Sequence, residues 1–130
     1  MQARLVIAEA IFWLHVLIVA FWYSLFFVPL SVWPWGDKIT FHFWLTIGIV
    51  FHQFVWGAML MPWTKKYRMV CALTTFMQIL RGKDISDPKN YDHSFTQELV
   101  GRTGTTIPHR LTTIITLPIL TVVSIQFFFR

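Results

Sequence analysis

Two histidines, His15 and His52, stand inside long apolar stretches, at similar distances from one shared turn. At a helical rise of ~1.5 Å per residue, His15 lies roughly 22 Å before Leu30 and His52 roughly 20 Å after Ile39. If the two stretches are antiparallel helices, the imidazoles share one depth. A pair so placed has the geometry to hold one metal. A haem b with two axial histidines is the first candidate, and a chlorophyll-type pigment held through magnesium by a single histidine is the second. The plainer reading gives each neutral ring a carbonyl or threonine of a neighbouring helix as its partner.

The remaining polar groups are few. Glu9 is the only acid within an apolar stretch, and its expected partners are Arg4, His109, Arg110 or another subunit. A proton relay is the alternative for such a carboxylate. His42 falls near the end of its stretch, where Thr40, Thr46 or water can satisfy it, while His93 and His109 fall in polar surroundings. Cys71 is the single cysteine and so forms no internal disulfide. There is no phosphate-binding glycine loop, no Ser/His/Asp arrangement and no cysteine pair, and the expectation is that the chain is not an enzyme.

These residues are carried by three stretches long enough to cross a bilayer, which needs ~20 mainly apolar residues. They run over 5–30, 39–63 and 107–129 of a 130-residue chain that is 55% hydrophobic and 13% charged. After three spans little chain remains for a soluble core, which predicts one all-α membrane domain.

Charge sets the expected orientation. Of 11 basic residues, Arg4 and the eight from Lys65 to Arg110 fall on one side of the spans, leaving only Lys38 and Arg130 on the other. Basic residues near span ends favour the cytoplasmic side, so the N-terminus is expected inside and the C-terminus outside. The formal charge of +5 then reads as topology and contact with lipid headgroups, not as a nucleic-acid surface.

Between the second and third stretches, Met69, Val70, Leu73, Phe76, Met77 and Leu80 recur at helical spacing, flanked by Lys65, Lys66, Arg68 and Arg81. That pattern predicts an interfacial amphipathic helix over 64–81, with Gly82 as its cap. A polar inner loop follows over 82–106, interrupted by a short helix near 94–100. The short Pro- and Gly-bearing link over 29–38 makes the first two helices antiparallel neighbours. Trp33, Trp35 and Trp63 suit the membrane interface. Ala20, Ser24, Gly48 and Gly57 suit close helix contacts.

Three short motifs carry a resemblance: Leu14-His15, Phe41-His42, and either Cys71-Ala72-Leu73-Thr74 with Leu80-Arg81 following or Met61-Pro62-Trp63-Thr64. They resemble a family of small bacterial multipass membrane proteins of unknown function. Its members carry an early Leu-His pair, a histidine at the head of the second helix, and a Cys-Pro-Leu-Thr segment leading into Leu-Arg. The first segment here lacks the proline and has Met77 at the family's acidic position, and the second lacks the cysteine. The resemblance covers the first two-thirds of the chain. It implies the three-span layout and no activity.

The composite expectation is an accessory or structural subunit of a larger energy-transducing complex, respiratory or photosynthetic in type. Its partners would be lipid and other integral subunits, in a bacterial or organellar inner membrane. The alternatives are a haem- or chlorophyll-type anchor using His15 and His52, and an oligomeric small-solute carrier or channel.

Overall fold

The computed structural model describes residues 2–92 and 95–130, and within 109–113 the backbone alone. Among the described residues there are five α-helices and no strand: α1 (Gln2–Ser24), α2 (Lys38–Thr64), α3 (Ala72–Leu80), α4 (Phe95–Gly101) and α5 (His109–Phe128). Single 3-10 turns occupy Leu30–Val32 and Pro88–Tyr91.

Two of the helices are long and apolar enough to cross a membrane. The most apolar stretches of α1 and α2 have mean hydropathies of 2.2 and 1.5, with 22% of each stretch buried. The apolar part of α5 among residues with described side chains is shorter, Ile114–Phe128.

The ends of the long helices follow from local chemistry. The first apolar stretch was expected to stay helical to Leu30, yet α1 stops at Ser24 and the chain closes in turns, with the Val28 N–H donating to Ser24 O at 3.1 Å. Pro29 explains the early stop, because it has no N–H for the Leu25 carbonyl four residues back and its ring clashes with that group. The Lys38 ammonium donates to the carbonyls of Leu25 (2.7 Å) and Val28 (2.5 Å), where the α1 backbone ends with unmet acceptors. Asp37 caps α2, its carboxylate accepting from the N–H groups of Ile39 and Thr40. At the other end Lys65 adopts a left-handed φ of 55° and stops the helix.

The link over 29–38 does bring α1 and α2 together, but only at that end. Trp22 Nε1 donates to Thr46 Oγ1 at 2.9 Å, and the rings of Phe26 and His42 meet at 4.6 Å. Elsewhere α1 packs chiefly on α3, and α2 chiefly on α5. Phe43 and Phe127 stack at 4.1 Å across the α2–α5 contact.

The segment expected as one amphipathic helix over 64–81 is a hairpin instead. Residues 65–71 run back along α2 in extended form. The Val70 N–H donates to Gln53 O at 3.4 Å, and the Arg68 carbonyl presses on Gly57. The turn-back brings the start of α3 level with His52, about 18 Å of helix from Thr64. α3 then descends against α1, where Met77, 1% exposed, joins Ala8, Phe12 and Phe95 in the larger core cluster. A smaller cluster of Leu60, Val70 and Tyr91 lies under the hairpin.

Gly82 ends α3 as its sequence position suggested. At φ 75° it places its own N–H on Ile79 O and the Lys83 N–H on Gln78 O, both at 2.9 Å, the paired bonds of a Schellman cap.

Candidate functional site

His52 and His15 are held by different partners. His52 lies on the exposed side of α2, where its Nε2 accepts the Ala72 N–H at 3.2 Å, with Cys71 Sγ 3.9 Å away. Ala72 is the first residue of α3, and the side chain of Cys71 at the N-cap supplies no bond. The imidazole therefore does the work of an N-cap, meeting a backbone donor that helix geometry leaves without a partner. Accepting at Nε2 places the ring proton on Nδ1.

His15 is buried, and its ring stacks on Phe95 at a centroid distance of 3.9 Å. The two imidazoles share none of these partners. For His52 to ligate a metal through Nε2, it must release Ala72. Among the described residues, no three His, Cys, Asp or Glu side chains converge as a metal site.

His42 is 2% exposed, deeper than its position near a span end suggested. Thr46 does not satisfy its ring. The Thr46 hydroxyl donates to the His42 backbone carbonyl at 2.8 Å, and the His42 Nε2 has no hydrogen-bond partner among the described residues.

The strongest polar constellation is at the opposite end of α1, and the sequence exposed only one member of it. Arg81, at the foot of α3, forms a two-toothed bond with Glu98 of α4 at 2.8 and 3.1 Å and reaches Glu9 at 3.3 Å. Arg102 bonds Glu9 at 2.8 and 2.9 Å and Glu98 at 3.1 Å. Its guanidinium also lies over the Phe12 ring, 3.7 Å from the centroid. The network ties α1, α3 and α4 at one point.

Glu9 is thus an ion-pair partner, and its cations are Arg81 and Arg102, not Arg4. The side chains of His109 and Arg110, named with Arg4 as candidates, lie outside the described residues, as does His93. Burial works against ionisation of Glu98, but bonding and charge from Arg81 and then Arg102 outweigh it and hold the carboxyl below its ordinary value. The bond to Glu98 leads the causes that raise Arg81, and the bond to Glu9 leads those that raise Arg102. Two acids facing two guanidiniums leave the cluster with balanced charge.

The only signal that could have found Glu98 and Arg102 was their spacing of four at the end of a short helix. A further tie holds the hairpin to α2: Trp56 Nε1 donates to Thr75 Oγ1 at 2.9 Å. Of the small residues singled out for close contacts, Gly57 makes one with Arg68, whereas a Cβ on Gly48 would meet nothing within 4 Å.

Comparison of the chain with protein-family models, with curated proteins and with solved structures yields no match.

Proposed function

We propose that the chain is a small integral membrane subunit that crosses the bilayer three times, N-terminus inside and C-terminus outside, as an accessory part of a larger energy-transducing complex in a bacterial or organellar inner membrane. The observation that carries this reading is the outward apolar surface of the long helices. Leu5, Val6, Ile7, Trp13, Leu14 and Leu17 of α1 are each about half exposed or more, as are Trp44, Phe51 and Phe54 of α2. Surfaces of that kind suit lipid or other membrane helices, and water disfavours them.

The third crossing rests on α5, 20 residues long and packed along α2. Its interior Pro118 is tolerable in a membrane helix, where neighbouring helices and local adjustments meet the freed backbone groups. Orientation follows from the basic residues gathered around the hairpin and the inner loop. The ties of Glu9, Arg81, Glu98, Arg102 and His52 to other elements of the chain fit a structural role.

The test is purification of the tagged native protein in a mild detergent, followed by an intact-mass measurement. The expected result is co-migration with larger membrane subunits at fixed stoichiometry. Recovery as a 15.4 kDa monomer with no bound protein contradicts the accessory role.

A further inference from the structure

Only two of the 11 basic residues lie at the end of the molecule where α1 turns into α2, and both line one crevice. This cavity of about 340 Å³ lies between the head of α2 and the end of α5. Lys38, Gln126 and Arg130 supply its polar wall, and Leu30, Ile39 and Phe129 an apolar one. The volume is at the lower end of the ~300–1,000 Å³ range of small-molecule sites.

Donors remain unspent there. Lys38 places two ammonium protons on Leu25 O and Val28 O and keeps a third. Arg130 turns one guanidinium nitrogen to Asp37 and another to Thr40 Oγ1, leaving its Nε–H. The Gln126 carboxamide makes no hydrogen bond among the described residues. Asp37 is the only acidic side chain at this end.

We infer that this crevice binds a phosphodiester-bearing amphiphile, a phospholipid of the outer leaflet whose phosphate meets Lys38, Gln126 and Arg130. Guanidinium and ammonium donors are the usual partners of phosphate oxygens. The apolar wall takes the glycerol and the root of an acyl chain, which a free phosphate ion lacks. The inference rests on the membrane reading above, because that reading puts the crevice at headgroup depth.

The test uses the full chain in detergent, titrated separately with dihexanoyl phosphatidylglycerol, dihexanoyl glycerol and inorganic phosphate. The lipid is expected to bind one to one, and the other two probes not at all. Arg130→Gln and Gln126→Leu each weaken binding, the arginine change by about tenfold, with unchanged melting temperatures. Lys65→Gln, on a cation at the far end of α2, leaves binding intact. Equal binding by the Arg130 and Gln126 variants overturns the inference, and so does inorganic phosphate binding as tightly as the lipid. A chain that stays in solution after detergent removal fails the membrane reading instead, and is told apart by that behaviour alone.

Discussion

The carbonyl oxygen of Arg68 lies directly over the Cα of Gly57, in space that a Cβ on residue 57 would occupy. The contact joins the extended limb of the hairpin to α2, and the Val70 N–H bond to Gln53 O reinforces it one turn away. Gly57 thus allows the chain to fold back along α2, and α3 owes its place beside α1 to that approach.

Gly57→Ala forces backbone apart and is expected to destabilise the protein by about 1–3 kcal/mol. Gly48→Ala is the control on the same helix, because a Cβ there meets nothing within 4 Å. It should be neutral or slightly stabilising, since alanine is the better helix former. Unfolding midpoints of the two variants in mild detergent check this, and equal midpoints refute the role given to Gly57.

His52→Ala leaves the Ala72 N–H without an acceptor, at a cost of about 1–3 kcal/mol, while His52→Gln keeps an acceptor and loses less. Thermal unfolding of the three proteins separates these cases. The same preparations, oxidised and then reduced with dithionite, test the haem alternative. The capping role predicts no haem b bands, and a Soret band lost in both His15→Ala and His52→Ala would reinstate the pair as axial ligands.

Glu98 and Glu9 differ in burial, and their variants should differ in cost. The Glu98 side chain is 20% exposed and bonds both arginines, while Glu9 is 46% exposed. Glu98→Gln is expected to cost about 1–3 kcal/mol. Glu9→Gln should cost under about 1 kcal/mol, because solvent screens the more open pair. Chemical denaturation in detergent gives both numbers, and a reversed order contradicts the network's geometry.

The same carboxylate sets an acid limit. The folded-state value for Glu98 is depressed below the ordinary 4.5, so its contribution is fully present above 4.5 and is lost as pH falls through the folded value. Stability should therefore hold from neutral pH to about 4.5 and decline below it, and Glu98→Gln should flatten that decline. An unchanged acid slope in Glu98→Gln places the acid sensitivity elsewhere.

Hydropathy made α2 legible almost to the residue: Asp37 marks its start, and the apolar run gives way to Lys65 and Lys66 at its end. It overran α1, since Leu25 to Val28 are as apolar as a span and only Pro29 breaks the pattern. The periodicity of 64–81 was real for Leu73, Phe76, Met77 and Leu80. The break before Ala72 has no local signature, because Lys65 takes a left-handed φ without being glycine. It depends on Gly57, which is distant in sequence and adjacent in space. The partners of Glu9 escaped for the same reason, Arg81 and Arg102 being 72 and 93 residues away. Matched depth is readable from sequence, but the direction of an imidazole is not. His15 and His52 accordingly share a level in sequence and different partners in space.

The central claim, that an inner layer is held on a bundle crossing the membrane three times, is tested most directly by the sides on which the two termini lie. Reporter enzymes active on only one side of the membrane, fused in turn to each end of the chain, give that answer. An N-terminal reporter active inside and a C-terminal reporter active outside is the result expected from an odd number of crossings with the basic face inward. Both reporters active on the same side would leave α1 and α2 as the only spans and place α5, with its crevice at Lys38 and Arg130, outside the bilayer.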